Sequence, residues 1–282
     1  MKKVLIFFAI IFIITAILSF IVTFSKKVVP GEKVALINVT GVILDSSGAV
    51  EELKTHTKDN SIKAIVLRVD SPGGAVAPSQ EIYKEVLKAR EKKKVVVSMG
   101  SVAASGGYYI SAPADRIVAN AGTLTGSIGV IMEIPNVKGL MEKIGIEAQV
   151  IKSGKHKDLA SVFKSLKPEE KEILQTVLDD VHDQFIQAVS DGRGMDVEET
   201  RKIADGRIFT GRMAMKAGLV DELGSLEDAI ALAGKLSGIK GEPEVVRKKE
   251  KFSLLEILRN QIPVKFMGDT FSGVSLKYLF TL

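Results

Sequence analysis

The chain lacks cysteine altogether and has only three histidines among its 282 residues. The absence of cysteine excludes disulfides, thiolate metal sites and a cysteine nucleophile. None of the histidines lies in a recognisable catalytic-triad motif. The sequence also has neither a Walker phosphate-binding pattern nor a His/Asp ligand cluster, so we expect no metal, nucleotide or other cofactor.

The charge of the chain is mildly basic, with a formal net charge of +5. Its lysines are spread through the whole sequence and do not form a concentrated basic patch. This pattern is typical of a solvated surface, and it gives no reason to expect a nucleic-acid partner.

An uncharged apolar run covers residues 4–24, with lysines at both of its ends. As a helix, this run is long enough to cross a hydrocarbon core of about 30 Å. The alternative is a cleaved signal peptide, but its apolar region is usually only about 7–15 residues long and precedes a small-residue cleavage site. We therefore predict a retained membrane anchor over residues 1–27. Its orientation is not set by charge, because basic residues flank both ends.

After the anchor, short apolar runs alternate with segments of helical spacing. The runs show no strict polar alternation, which is typical of parallel strands buried on both faces. We predict an α/β fold with a parallel sheet over residues 28–240. The predicted strands are 34–39, 62–70, 95–97, 117–119 and 148–151, and the predicted helices are 78–92, 136–144, 168–189, 197–204, 211–217 and 226–236.

The C-terminal segment, residues 241–282, has a different character. A basic stretch precedes an amphipathic pattern at 252–258. Such a helix could lie on a membrane, on a neighbouring molecule or on its own domain.

Small residues surround Ser105 in the stretch Ala-Ala-Ser-Gly-Gly at 103–107. They leave its hydroxyl exposed at a predicted strand-to-helix turn, where the backbone potential favours developing negative charge. A serine at a helix start is often only an N-cap, so both interpretations stay open. The Pro-Gly-Gly turn at 72–74 could add the amide of Gly73 to that of Gly106 as an oxyanion hole, although alone it indicates only a turn.

A serine nucleophile needs a base. His156 is one candidate, and a lysine such as Lys157 is another if its amine is neutral near physiological pH.

Six short sequence motifs, separated along the chain, resemble those of a known family, and this resemblance decides among the alternatives. Together they resemble the short, single-repeat form of the signal peptide peptidase A family, and the likeness covers about residues 34–236. The blocks are DSPGG at 70–74, SVAASGGYY at 101–109, TGSIG at 125–129, KSGKHKD at 152–158, GRIFTG at 206–211 and AGLVDELG at 217–224.

This resemblance implies a role for each matching residue. Ser105 would attack the peptide carbonyl, Lys157 would be the general base, and Ser127 would orient the lysine amine. Gly73 and Gly106 would hold the oxyanion. The resemblance also implies the fold shared by caseinolytic protease subunits and crotonases.

Proteins similar to this chain form membrane-associated rings, with the protease domain on the extracytoplasmic side. They act on apolar peptides such as signal-peptide remnants. The resemblance therefore implies a single-pass membrane protein that forms a ring-shaped homo-oligomer. Three alternatives stay open: a stomatin-linked serine–lysine protease, a crotonase-like acyl-CoA enzyme, and a non-catalytic membrane scaffold.

Overall fold

A computed structural model describes residues 32–248 and 277–279, together with Thr15. The predicted anchor at 1–27, apart from Thr15, and the predicted amphipathic helix at 252–258 lie outside these described residues. Within them, no helix is both long enough and apolar enough to cross a bilayer.

The described chain alternates strands and helices through most of its length. The strands are β1 (Lys33–Thr40), β2 (Ile62–Ser71), β3 (Gly73–Ala75), β4 (Lys94–Ala104), β5 (Arg116–Ala119), β6 (Leu124–Gly126), β7 (Ile208–Thr210), β8 (Glu222–Leu223), β9 (Glu244–Arg247) and β10 (Lys277–Leu279). The helices are α1 (Ser47–Lys58), α2 (Val76–Arg90), α3 (Gly106–Ser111), α4 (Lys138–Lys143), α5 (Pro168–Arg193), α6 (Val197–Ile203), α7 (Gly211–Lys216) and α8 (Leu226–Leu236).

An eight-stranded sheet forms the centre of the molecule, in the order β7-β6-β4-β2-β1-β9, with β5 beside β4 and β8 beside β5. All of its pairings are parallel except that of β6 with β7. Separately, β10 pairs with β3 in an antiparallel two-stranded sheet. The predicted α/β fold with a parallel sheet is confirmed.

The central strands are apolar on both faces because each face packs against helices. In β2, Ile65 and Leu67 belong to the larger core, whereas Ala64 and Val66 belong to a second core on the opposite face. Helices α2 and α5 contribute to the first core, and α8 contributes to the second. Burial on both sides therefore explains the missing alternation in the sequence.

Strand β4 changes its neighbour partway along its length. Residues 96–99 pair with β5 and residues 102–104 with β6, while the register with β2 shifts between Val69 and Ser71. Two side chains bridge this break: Asp70 Oδ1 accepts from the Val102 amide at 3.0 Å, and Thr123 Oγ1 donates to the Gly100 carbonyl at 2.7 Å. The last part of β4 is thus held beside β6 and ends at the carboxyl edge of the sheet.

Most predicted elements are present, with shifted ends, but the predicted strand at 148–151 is wrong. Residues 145–167 contain no helix or strand, and Ile151 is fully exposed. The apolar run there has no neighbouring strand to pair with among the described residues. Helix α1 was not predicted, and the predicted helix at 168–189 extends to Arg193, where Gly194 ends it with a left-handed φ of 63°.

Candidate active site

Ser105 lies at the turn from β4 into α3. Its backbone is strained, with φ 53° and ψ −117°, a conformation that costs a non-glycine residue about 1–3 kcal/mol. The turn is held by a hydrogen bond of 2.8 Å from the Ser105 amide to the Gly126 carbonyl. Although Ser105 occupies the N-cap position, its side chain makes no capping hydrogen bond. Its hydroxyl is therefore not committed to the helix, which favours the nucleophile interpretation.

Ser127 follows Gly126 directly and has a similar backbone. Its φ is 50°, and its amide donates to the Arg207 carbonyl at 2.8 Å. Because Ala104 pairs with Gly126 across β4 and β6, the two predicted serines follow neighbouring strand ends. Both are buried, with exposed fractions of 1% for Ser105 and 9% for Ser127, so the expectation that the Ser105 hydroxyl is exposed is wrong.

The two predicted oxyanion glycines lie against each other. A methyl group on Gly73, whose φ is 99°, would lie 2.6 Å from the Gly106 amide nitrogen, and a methyl group on Gly106 would lie 3.1 Å from the Gly73 α-carbon. The Gly73 amide also donates to Ser71 Oγ at 3.1 Å. Only residues without a side chain allow this approach, so the structure brings Ser105, Gly73 and Gly106 together.

Lys157, in contrast, lies in the irregular segment after α4 and is exposed. Among the residues that the structure describes, its amine has no hydrogen bond or ion pair, and so none to Ser105 or Ser127. Its neighbour Lys155 pairs with Glu169, and His156 Nε2 lies 3.7 Å from Glu169 Oε1. The Lys155 amine is thus engaged in an ion pair, whereas no such partner holds the Lys157 amine among the described residues.

Ion pairs hold the segment around Lys157. Asp158 accepts hydrogen bonds from Lys152 and Lys164, which lower the pKa of its carboxyl group to about 2. Lys164 also pairs with Glu170, which accepts from the Lys167 amide at the start of α5. Ion pairs therefore tie this segment to the start of α5.

Large apolar side chains are exposed in the same region. Over residues 140–166, seven are at least 38% exposed: Leu140, Ile144, Ile146, Val150, Ile151, Phe163 and Leu166. An open groove of about 600 Å³ lies among Met141, Ile146 and Phe163, and charged side chains such as Lys138 and Glu142 also line it. An apolar surface of this kind usually marks a contact with another molecule.

Some residues that position the site were missed by the sequence reasoning. Asp70 was assigned no role beyond the end of the predicted strand 62–70, yet its carboxylate holds the end of β4 through the Val102 amide. The hydroxyl of Thr125 donates to the Ala103 carbonyl at 2.7 Å and ties β6 to the residues before the nucleophile. Both residues lie inside the blocks that resemble the family, and this position was the one sign in the sequence that they matter for the site. Across the described ranges, no group of His, Cys, Asp or Glu side chains is arranged to hold a metal ion.

Comparison with known proteins places the chain in a family. A model of peptidase family S49 matches residues 88–240. A Synechocystis sp. protein, named as a candidate protease, is 47% identical over 210 residues that cover 74% of this chain and 76% of that protein.

Two further relatives carry more specific names. An Enterococcus faecium protein, named as a candidate signal peptide peptidase SppA, is 38% identical over 71% of this chain and 62% of its own length. The chloroplastic serine protease SPPA of Arabidopsis thaliana is 34% identical over 84% of this chain, which spans only 34% of that protein.

Proposed function

The chain belongs to peptidase family S49, of the signal peptide peptidase A type, and is a serine peptidase; from this we propose that it is a membrane-anchored endopeptidase with a Ser105–Lys157 dyad. One observation carries the proposal: Ser105 stands on a strained turn, with its hydroxyl not used as a helix cap, beside the paired glycines 73 and 106. The proposed substrates are apolar peptide segments such as remnant signal peptides.

In the proposed reaction, Ser105 Oγ attacks the peptide carbonyl carbon while the neutral Lys157 amine takes the hydroxyl proton. The oxyanion is stabilised by the amide of Gly106 and by that of Gly73, which would turn from Ser71 Oγ to the oxyanion. The carbon–nitrogen bond then breaks, and the protonated lysine gives its proton to the leaving amine. The same amine next activates a water molecule that hydrolyses the acyl-enzyme and releases Ser105.

Among the described residues of one chain no hydrogen bond joins Lys157 to Ser105, and we propose that a neighbouring copy supplies the lysine. Two observations support this. Among the described residues of the same chain, the lysine amine has no hydrogen-bond or ion-pair partner, and its segment exposes a series of apolar side chains. Packing of that segment against the next subunit would bury those side chains and exclude water from the amine. A ring of identical head-to-tail contacts would complete every site.

The anchor that the sequence predicts over residues 1–27 supports the choice of substrate. An enzyme tethered beside the bilayer meets apolar segments that are left in it, and we propose that the protease domain lies on the extracytoplasmic side.

The test uses the full-length chain in detergent micelles with fluorogenic apolar peptides. Ser105→Ala and Lys157→Ala should each lower kcat by at least about 10³-fold, because nucleophile and base act as one unit. Lys155→Ala is the matched control and should leave kcat within about twofold, since that side chain only makes an exposed ion pair.

Circular dichroism should show all three variants folded. Retention of activity in Lys157→Ala would refute the dyad and transfer the role of base to His156. Retention in Ser105→Ala would remove the nucleophile assignment and favour the crotonase-like alternative.

A further inference from the structure

Basic side chains gather where helices α1 and α2 end. Both helices run back to the edge of the sheet at which β2 and β4 begin, and the stretches 54–63 and 84–94 contain these ends. Together the two stretches carry nine lysines and arginines against three acidic residues, a net charge of +6. The whole chain carries only +5, so the rest of it is slightly acidic. The expectation that the lysines form no concentrated patch is therefore wrong here.

The basic face, as we name this surface, is formed by five exposed lysines: Lys54, Lys58, Lys63, Lys88 and Lys92. Among the residues that the structure describes, only Lys88 of these five has an ion-pair partner, which is Glu85 at 3.3 Å. Basic residues near a helix C-terminus can simply offset the helix dipole. Here Lys93 does so, because its amine donates to the carbonyls of His56 and Asp59 at the end of α1. The lysines of the basic face make no such bond within the described chain, so their charges remain available to a ligand.

The fold holds these charges close to one another. Burial lowers the pKa of the Lys93 amine, Asp59 raises it, and the nearby charge of Lys63 lowers it. Positive charges that are fixed side by side repel one another, and an anion that lies among them removes this repulsion.

An open groove of about 250 Å³ lies between the two helix ends on this face. Its lining residues are Lys54 and Lys58 on α1, and Lys88 and Lys92 opposite, with Glu85 and Glu91. The Thr57 hydroxyl also lines the groove; its oxygen is buried and has no hydrogen-bond partner among the described residues. A phosphate oxygen can accept from such a hydroxyl while the surrounding lysines balance its charge. The groove is thus suited to a phosphate group.

The basic face lies next to the point where the predicted anchor joins the domain. Strand β1 begins at Lys33, whose amide donates at 3.2 Å to the carbonyl of Ser61, a residue of the stretch 54–63. Six peptide units separate Lys33 from the end of the predicted anchor at residue 27, and they span at most about 20 Å. A bilayer that holds the anchor therefore lies close to these lysines, and attraction acts over a Debye length of about 8–10 Å.

We propose that the basic face binds the headgroups of anionic phospholipids and so docks this edge of the sheet on the membrane. The inference rests on the membrane anchoring that is part of the proposed function. It adds to that function the class of lipid and the surface that recognises it. A bilayer presents many phosphates in one plane, which suits lysines spread over two helix ends and a strand start, and each lysine near such a surface strengthens attachment about fivefold.

The test places the full-length chain in nanodiscs of phosphatidylcholine alone, or of phosphatidylcholine and phosphatidylglycerol at about 7:3. Exposed lysines are acetylated with a reactive ester, and mass spectrometry gives the rate at each position. Lys63 and Lys88 should react at least about fivefold more slowly in the anionic discs, because headgroups cover these amines and favour their charged, unreactive form. Equal rates in the two kinds of disc would refute the proposal.

The triple variant Lys54→Gln/Lys58→Gln/Lys92→Gln removes the three lysines of the face that have no ion pair within the described chain and line the groove. It should reduce the difference between the discs at Lys63 and Lys88 to less than about twofold, with Tm nearly unchanged. A triple variant that keeps the full difference would show that lipid does not bind at the groove.

A matched control removes the same charge from elsewhere on the surface. Lys171→Gln/Lys202→Gln/Lys216→Gln changes exposed lysines on α5, α6 and α7 and should keep the full difference between the discs. If both triple variants lose it alike, only net charge matters, and the basic face is not the docking surface.

Two other ligands are offered to the parent protein in phosphatidylcholine discs. Protection of Lys63 and Lys88 by millimolar inorganic phosphate, equal to that in the anionic discs, would show that the face binds a free anion. Stronger protection by polyglutamate than by anionic discs would show that it binds an acidic protein segment. Either result would overturn the assignment to lipid.

No turnover is measured, so failure of the Ser105–Lys157 dyad would leave these results interpretable, and failure here would leave the dyad intact. A chain that does not stay in phosphatidylcholine discs would refute the anchor, and co-sedimentation with phosphatidylglycerol-containing vesicles would then test the face alone. The triple variant of the face should bind those vesicles at least about 30-fold more weakly than the control triple variant. Equal binding would refute the proposal.

Discussion

Two regions of the molecule that share one proposed reaction are built differently. The edge of the sheet that carries Ser105, Ser127, Gly73 and Gly106 is buried and fixed by backbone hydrogen bonds. The segment at 133–166 that carries Lys157 is largely exposed and irregular, and charge pairs hold it.

This difference shows which parts of the proposed site one chain can form alone and which part needs a second molecule. A nucleophile and an oxyanion hole need exact backbone positions, and adjoining strand ends provide them. A neutral lysine instead needs to be removed from water, and an exposed segment does not do so until something covers it. Each prediction below tests one side of this difference.

The largest effect should come from mixing two inactive variants. Ser105→Ala and Lys157→Ala subunits, mixed in equal amounts and reassembled from the separated state, should recover about one quarter of the parental activity, because one interface in four joins an intact serine to an intact lysine. The measurement is peptide hydrolysis before and after reassembly. Mixtures that remain inactive would show that each site draws both residues from the same chain.

The next largest effect concerns the glycine pair. Gly73→Ala should lower kcat about 100-fold or more, because its methyl group would collide with the Gly106 amide and displace an oxyanion donor. Gly41→Ala is the control, since Gly41 also has a positive φ, of 69°, but has open space around it. It should cost about 1 kcal/mol of stability without loss of kcat. Equal losses of kcat would mean that backbone strain, not the oxyanion site, explains both.

A smaller effect should separate the hydroxyl of Ser127 from its backbone. Ser127→Ala and Ser127→Gly both remove the group that is proposed to orient the lysine, so both should lower kcat about 10- to 100-fold. Glycine tolerates the φ of 50°, so Ser127→Gly should have a higher Tm than Ser127→Ala. Should kcat follow Tm across the pair, the role of Ser127 is structural.

The smallest effect should come from the charge pairs around the lysine segment. Asp158→Asn should lower kcat/KM a few-fold at pH 8 and leave Tm nearly unchanged, since exposed ion pairs add little stability. The pKa of Asp158 is depressed to about 2, so its stabilising contribution is present above the ordinary carboxyl range and is lost only as pH falls through about 2.

The pH dependence of activity should therefore not come from Asp158. Activity should rise with pH because only the neutral lysine amine accepts a proton. If Asp158→Asn shifts the midpoint of that rise in a pH–rate profile, the carboxylate acts on the base directly.

The strands and helices that could be predicted are those whose burial leaves a pattern of apolar residues in the sequence. The strands were predictable because runs such as 62–70 are apolar on both faces. Helix α1 was missed because its only buried residue is Leu53, which leaves little periodicity to detect. The false strand at 148–151 shows the converse: an apolar run predicts burial, but it does not supply a pairing partner.

Residue patterns alone named Ser105, Gly73 and Gly106 as candidates, but only the family resemblance chose among the interpretations that were open for them. Nothing in the spacing of Ser105, Gly73 and Gly106 states that they meet; the topology of β2, β3 and β4 brings them together. The tail contact at Tyr278 could not be predicted, because three residues carry no periodicity and their partner lies about two hundred positions earlier in the chain.

The break in β4 gives the molecule two kinds of rigidity along one strand. Before Gly100, continuous ladders on both sides hold the strand, and opening it requires opening the core. Beyond Gly100, side-chain bonds from Asp70 and Thr123 help to set the position of the residues that lead to the nucleophile. The end of β4 after Gly100 can therefore open locally at a lower free energy than unfolding of the whole domain requires. Loss of catalytic competence on warming would then precede global denaturation, which leaves an intact scaffold that recovers on cooling.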